Sequence, residues 1–172
     1  MFSTPEIIGR YYEGLRAEPD HYGRLKVGLS IVVPIIAALV AAWLGDKVDP
    51  EILGGFLGAF SILAGLLLNV QAGIFSLYDR TPPPPTDPKL FERYNRKTTQ
   101  RRRLIKGVNS AISYLLLVSS LLIVSCAIFL IVDGYDKAII AVVAFIFSHF
   151  MVNLLILIER VDALYTVEFS NA

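Results

Sequence analysis

The chain has 172 residues, of which 55% are hydrophobic, and its mean hydropathy of +0.59 is high for a soluble domain, in which apolar residues make up roughly 45–50%. The formal net charge of +1 conceals a strong segregation of charge, with many charged side chains in residues 79–106 and long stretches that have none. Cys126 is the one cysteine, which excludes an intramolecular disulfide, and the segregation of charge favours an integral membrane protein.

The first segment, residues 1–26, is predicted to be cytoplasmic and to contain an amphipathic helix over residues 3–15. Ser3 and Glu6 have the spacing of a capping box, and Pro5 suits a first helical turn. The apolar face that follows consists of Ile7, Ile8, Tyr11, Tyr12 and Leu15. Tyrosines flanked by arginines favour a position at the membrane interface. Packing against the protein's own cytoplasmic loop is the alternative.

Four stretches are apolar and long enough to cross the ~30 Å hydrocarbon core of a bilayer. They are predicted to be transmembrane helices at residues 27–44, 52–77, 108–132 and 138–158, and none contains Asp, Glu, Lys or Arg. The fold class expected is therefore an all-α integral membrane protein, a bundle of four transmembrane helices. Because the connections within the first and second pairs are short, each pair is expected to form an antiparallel hairpin.

Small residues follow one face of the second predicted span. Gly54, Gly58, Ser61 and Gly65 recur at helical spacing, and the two glycines at the start form a GxxxG pair. Small residues let helix backbones approach closely in lipid. This face is predicted to be a helix-packing seam, either within one chain or between the subunits of a homo-oligomer, with a stripe facing a pore as a third interpretation.

Residues 78–107 are predicted to form a cytoplasmic loop that begins with a rigid polyproline elbow at residues 82–85. Asp87 and Pro88 are suited to the N-cap and the first residue of a helix that continues into the third span. Its predicted basic surface consists of Arg93, Arg96, Lys97, Arg101, Arg102 and Arg103. These residues are expected to bind anionic lipid headgroups, with an acidic protein or a nucleotide as the alternatives. Direct contact with nucleic acid is not expected, because few aromatic residues accompany them.

Polar side chains within the apolar spans are predicted to meet in one intramembrane cluster made of Asn69, Ser113, His149 and Asn153. An unsatisfied polar group in hydrocarbon is costly, so these side chains are expected to hydrogen-bond one another. Lining an aqueous pathway is the functional alternative. No HExxH, GxSxG or P-loop motif is present. We therefore expect a protein that is not an enzyme and has no metal site and no cofactor.

The distribution of lysine and arginine predicts the orientation. All but two of the 16 such residues lie in residues 1–26, 78–107 and 159–172, the two exceptions being Lys47 and Lys137. The N-terminus, the central loop and the C-terminal tail are therefore predicted to face the cytoplasm.

The layout and two stretches resemble small bacterial four-transmembrane-helix proteins associated with anti-phage defence systems. One stretch is residues 61–69 in the second span, and the other is residues 149–160 in the fourth. That class includes nucleotide-signalled membrane effectors and membrane subunits such as that of the Kiwa system. The resemblance implies a multi-pass protein of the bacterial inner membrane with a role in antiviral defence, and it assigns no role to an individual residue.

Two functional hypotheses follow. In the first, the protein is a membrane scaffold or sensor subunit that oligomerises and recruits a cytosolic protein partner, because nearly all of the chain outside the spans is predicted to be cytoplasmic. In the second, the oligomer is a pore-forming effector that depolarises the cell when it is triggered.

Overall fold

The computed structural model describes residues 4–16, 22–45, 50–79, 85–131 and 136–169. Within these ranges the chain forms five α-helices, α1 (Thr4–Arg16), α2 (Tyr22–Leu44), α3 (Pro50–Asp79), α4 (Pro88–Phe129) and α5 (Asp136–Phe169). The first residue of the predicted capping box, most of the proline elbow and most of the two short connections lie outside the described residues. Of Arg93 only the backbone is described.

Each of the helices α2 to α5 contains a stretch that is long and apolar enough to cross a membrane. Large apolar side chains are exposed along these helices, up to 82% for Trp43 of α2. An apolar outer surface of this extent is the opposite of what a soluble monomer presents to water. The described chain is thus all-helical, with four helices that could span a membrane.

The longest helix is α4, with 42 residues, or about 63 Å at a rise of ~1.5 Å per residue. It begins where the Asp87 carbonyl accepts hydrogen bonds from the amides of Leu90 and Phe91, at 3.1 and 3.0 Å. Since the hydrocarbon core is only ~30 Å thick, the first five turns of α4, residues 88–107, project beyond the apolar span. The last turns of α5, residues 159–169, project at the same end.

We call this end of the bundle, where α1, residues 88–107 of α4 and residues 159–169 of α5 lie, the basic end. An ion pair there joins α2 to α5, with Lys26 Nζ 2.8 Å from Glu159 Oε1. The Arg160 guanidinium donates a long hydrogen bond of 3.5 Å to the Gly107 carbonyl of α4. The projecting parts of the helices are therefore fixed to one another as well as to the spans.

The helices pack in the order α2, α5, α4, α3, and α1 lies against α2 and α4. The predicted pairing of the first two spans is not observed, because the backbones of α2 and α3 do not lie close together in the described residues. Instead α2 runs along α5, where a Cβ on Gly45 would lie 2.7 Å from Ile140 Cδ1. The connection between Gly45 and Pro50 can span ~17 Å when extended, whereas packed helices lie only ~8–10 Å apart. A connection of this length therefore does not require α2 and α3 to pack against each other.

The second predicted pair, α4 and α5, does pack together.

The core lies along α4 and α5 and along a narrow stripe of α3. The buried side chains of α3 recur every seven residues, which is the repeat of a helix seam; they are Leu53, Phe60, Leu67 and Ile74. Three aromatic contacts join α3 to α5. The ring centroids are 5.2 Å apart for Phe56 and Phe147, 6.0 Å for Phe60 and Phe147, and 4.9 Å for Phe60 and Phe150. These contacts hold the outer half of α3 to the bundle and leave its other face exposed.

Candidate functional site

The amphipathic helix α1 is part of the bundle. Its apolar positions Ile7, Tyr11 and Leu15 are spaced by four residues, so they share one face. Tyr11 and Leu15 are completely buried, and Ile7 packs against the core. The structure shows this helix packed on the bundle, against α2 and α4 and, through Tyr11, against α5; its position at the membrane interface stays a prediction.

The Tyr11 side chain holds α1 to α5 by a buried hydrogen bond. Its hydroxyl donates to Asn153 Oδ1 at 2.5 Å, and Asn153 is completely buried. The amide nitrogen of Asn153 donates in turn to the His149 carbonyl one turn earlier, at 2.6 Å. Both ends of the Asn153 amide are therefore satisfied, and one of the two partners comes from a helix outside the four spans.

The His149 ring links three helices. Its Nδ1 lies 2.7 Å from the Ser30 carbonyl of α2, and its Nε2 lies 2.6 Å from the Tyr114 hydroxyl of α4. A carbonyl only accepts, so the neutral tautomer that satisfies both contacts carries its proton on Nδ1 and accepts from Tyr114 at Nε2. The imidazole thus acts as a bridge between α2 and α4.

The Ser30 carbonyl needs such a donor because of Pro34. In an α-helix the carbonyl of a residue accepts from the amide four positions later, and here that position is a proline, which has no N–H. Ser30 and Pro34 are both buried, so water does not replace the missing donor. His149 supplies it from the neighbouring helix.

Aromatic stacking completes this group, which we call the tyrosine–histidine cluster (Tyr11, Tyr114, His149, Asn153 and the Ser30 carbonyl). The Tyr11 and Tyr114 rings are stacked, with centroids 4.3 Å apart and planes 6° apart. The Tyr12 and Tyr114 hydroxyls lie 3.4 Å from each other. The Arg160 guanidinium lies 6.0 Å from the Tyr11 ring centroid, at the outer limit of a cation–π contact. The cluster joins α1, α2, α4 and α5.

Of the predicted intramembrane cluster, the structure brings together His149 and Asn153 and separates the other two residues from them. Ser113 belongs to a second polar group, in which Gln71 Nε2 donates to Asn109 Oδ1 at 3.0 Å and to Ser113 Oγ at 3.2 Å. Asn69 is exposed on α3. Two residues apart on a helix point in different directions, so Asn69 turns away from α4 when Gln71 faces it.

The small residues of α3 do not pack within the chain. Gly54, Gly58 and Gly65 are exposed, and a Cβ on any of them would meet no atom within 4 Å. Ser61 is also exposed, and its hydroxyl donates to the Leu57 carbonyl of its own helix at 2.8 Å. Packing within one chain, one of the interpretations of this face, is therefore not observed.

A cavity of about 660 Å³ lies at the basic end between α1 and α4; we call it the basic cavity. From α1 it is lined by Arg10 and Glu13. From α4 it is lined by two hydroxyls and three cations, which are Thr99, Ser110, Arg102, Arg103 and Lys106. It therefore combines four cationic side chains, one carboxylate and two hydroxyl groups.

Only some residues of the predicted basic surface line this cavity. Arg102 and Arg103 line it, whereas Arg96 and Lys97 are exposed elsewhere on α4 and Arg101 is half-buried. Sequence reasoning did not place Arg10 or Glu13 beside α4, because nothing in the sequence specified where α1 docks.

The roles of Tyr11 and Tyr114 were also missed. A signal was present for Ser30, since a proline four residues later leaves its carbonyl without a helical donor. The identity of the donor was not readable, because it comes from α5. Among the described residues, no group of three His, Cys, Asp or Glu side chains is placed to hold a metal ion.

No family model matches the chain, and no curated protein or solved structure is significantly similar to it. The residues and their geometry alone bear on what the protein does.

The Tyr11–Asn153 hydrogen bond leads to a stability prediction. Tyr11→Phe keeps the ring stacked on Tyr114 but leaves the buried Asn153 oxygen without its donor, which costs about 1–3 kcal/mol. We expect a lower midpoint of thermal unfolding in detergent for this variant. The double variant Tyr11→Phe/Asn153→Leu should recover part of the loss, because neither partner then leaves an unpaired group.

Tyr22→Phe is the matched control, since Tyr22 is 66% exposed, and its unfolding midpoint should remain that of the native chain. If Tyr11→Phe is as stable as Tyr22→Phe, the hydrogen bond does not hold α1 in place.

Proposed function

We propose that the protein is a non-enzymatic scaffold or sensor subunit of the bacterial inner membrane, which oligomerises and holds a cytosolic protein partner at the membrane. The observation that carries this proposal is the helical platform at the basic end, which consists of α1, residues 88–107 of α4 and residues 159–169 of α5. There α1 is docked by Tyr11 on α5, and α4 and α5 continue without a break from the apolar spans into residues 88–107 and 159–169. A partner bound to this platform would be held at a fixed position relative to the bilayer.

The proposed orientation places the basic end in the cytoplasm. Lysine and arginine are concentrated in the segments that form this end, and such residues remain on the cytoplasmic side of bacterial membranes. At the opposite end, the described helices are separated in the sequence by four residues between Gly45 and Pro50 and by four between Ile131 and Asp136. Most of the surface that a soluble partner could reach would therefore be cytoplasmic.

The geometry favours the scaffold over the pore-forming effector. A pore past Asn69, His149 and Asn153 would need these side chains to face an aqueous path. Asn69 is exposed on α3, but the polar atoms of His149 and Asn153 are engaged within one chain by Tyr11, Tyr114 and the Ser30 carbonyl. Opening such a path would break these bonds.

The outer face of α3 supports the proposed oligomer. Gly58, Ser61 and Gly65 are exposed on it, and Asn69 lies four residues further along the same face. Small residues allow close approach of helices in lipid, and an amide exposed to hydrocarbon gains a partner when a second helix packs on it. A second copy of the chain packed on this face would make close contact with the small residues and would give the Asn69 amide a partner.

The role in antiviral defence is proposed from the resemblance of residues 61–69 and 149–160 alone. It would make the partner a product of a neighbouring defence gene, which is why co-expression with that gene is part of the test.

Recruitment is tested by co-expression with the neighbouring gene and purification in mild detergent. We expect its product to copurify with the native chain and to be lost with Arg96→Glu/Lys97→Glu, because both side chains are exposed on the platform. Lys137→Glu, exposed at the opposite end, is the matched charge reversal and should leave recovery unchanged. Failure to recover the product, together with loss of membrane potential on expression, would contradict the scaffold and support the pore.

Oligomerisation is tested by Gly58→Leu and Gly65→Leu. Because an added Cβ meets no atom within 4 Å in the single chain, these substitutions should leave the thermal stability of the monomer unchanged. They should nevertheless shift the native mass towards the monomer, since bulky side chains block close helix packing. Ala59→Leu, exposed on an adjacent part of α3, should leave the native mass unchanged. A native chain that is monomeric, or variants that assemble normally, would rule out this seam.

A further inference from the structure

We propose that the basic cavity is a binding site for a phosphate-bearing anion at the membrane surface. This inference is independent of the proposed scaffold function, since it concerns the space between α1 and α4 rather than the exposed platform to which a protein partner would bind.

The cavity is formed where two helix faces meet. On α4 the lining positions 99, 103, 106 and 110 recur at spacings of three or four residues, and position 102 lies three residues after 99 and four before 106, so they share one face. On α1 Arg10 and Glu13 lie three residues apart and face it. The site therefore exists only when α1 is docked on the bundle. Arg10 precedes Tyr11 in the chain, so the position of Tyr11 in the tyrosine–histidine cluster also places Arg10 at the cavity.

The charges in the cavity favour an anion. Arg102 and Lys106, four residues apart on α4, are both exposed into this region, and like charges at this spacing destabilise a helix. Arg10 and Arg103 add two further cations to the lining, against the single carboxylate of Glu13. A bound anion would relieve the repulsion and accept charge-assisted hydrogen bonds, which are the strong kind.

The volume of the cavity and its position relative to the predicted third span indicate the class of anion that it binds. A volume of about 660 Å³ falls within the ~300–1,000 Å³ range of small-molecule sites, so there is room for more than a bare phosphate. Gly107 and Ser110 of the lining stand at the boundary of the predicted third span, residues 108–132. Lipid phosphates lie at this depth, and basic pockets at helix ends bind lipid headgroups. The lining from Thr99 to Lys106 belongs to the part of α4 that projects beyond the apolar span, so a soluble phosphate ester would also have access.

The test measures two probes against the same variants of the full chain. Phosphatidylglycerol binding is followed by native mass spectrometry in neutral detergent, and inorganic pyrophosphate binding by calorimetry in phosphatidylcholine nanodiscs. We expect Arg102→Gln and Lys106→Gln each to weaken binding roughly fivefold, the equivalent of ~1 kcal/mol for one cation near the surface. Glu13→Gln should strengthen binding, because it removes the repelling carboxylate.

Arg96→Gln is the matched control, since it removes one exposed cation of the same helix outside the cavity, and it should leave binding unchanged. This pattern with phosphatidylglycerol alone assigns the site to a lipid headgroup, and the same pattern with pyrophosphate assigns it to a soluble phosphate compound. The proposal is overturned if neither probe binds, if Arg96→Gln weakens binding as much as Arg102→Gln, or if Glu13→Gln has no effect.

Discussion

The carbonyl of Ser30 has no helical donor, because the residue four positions later is Pro34. Both residues are buried, and the contact that replaces this donor is the first of those that link α2 to α5, α4 and α1. Hydrocarbon offers no replacement donor, and the one that is present is His149 Nδ1 of α5. The other nitrogen of that ring then engages Tyr114 of α4. Tyr11 of α1 stacks on Tyr114, and its hydroxyl donates to Asn153 of α5. These two contacts hold α1 on the bundle. The missing N–H of Pro34 thus explains the contact between His149 and the Ser30 carbonyl, which is the first of a series of contacts that join four helices.

The helices themselves were predictable, because runs without charge have one stable arrangement in a bilayer. The start of α4 at Pro88 also followed from local chemistry, since an N-cap and a proline act within one turn. The neighbours of each helix were not predictable. The connection between α2 and α3 is long enough to leave the two helices apart. The direction in which the Asn69 side chain points depends on which side of α3 packs against α4. The basic cavity was not predictable either, because Arg10 and Lys106 are far apart in sequence and meet only through the docking of α1.

The two faces of α1 connect the features described above. Its inner face places Tyr11 in the tyrosine–histidine cluster, and its outer face contributes Arg10 to the basic cavity. In the proposed function this helix couples the membrane spans to the cytoplasmic platform. A ligand in the cavity would stabilise the docked position of α1 by mass action, which would make the platform responsive to phosphate-bearing compounds.

The most direct test of this account is hydrogen–deuterium exchange of the α1 amides in neutral-lipid nanodiscs, compared between the native chain and Asn153→Leu. If Tyr11 holds α1 on the bundle through Asn153, the amides of residues 7–15 exchange slowly in the native chain. They should exchange roughly tenfold faster in the variant, because a tenfold change corresponds to ~1.4 kcal/mol, within the cost of losing a buried partner. Equal exchange in the two proteins would mean that α1 is held by the lipid surface or by its own helical hydrogen bonds, and would contradict its docking on the bundle.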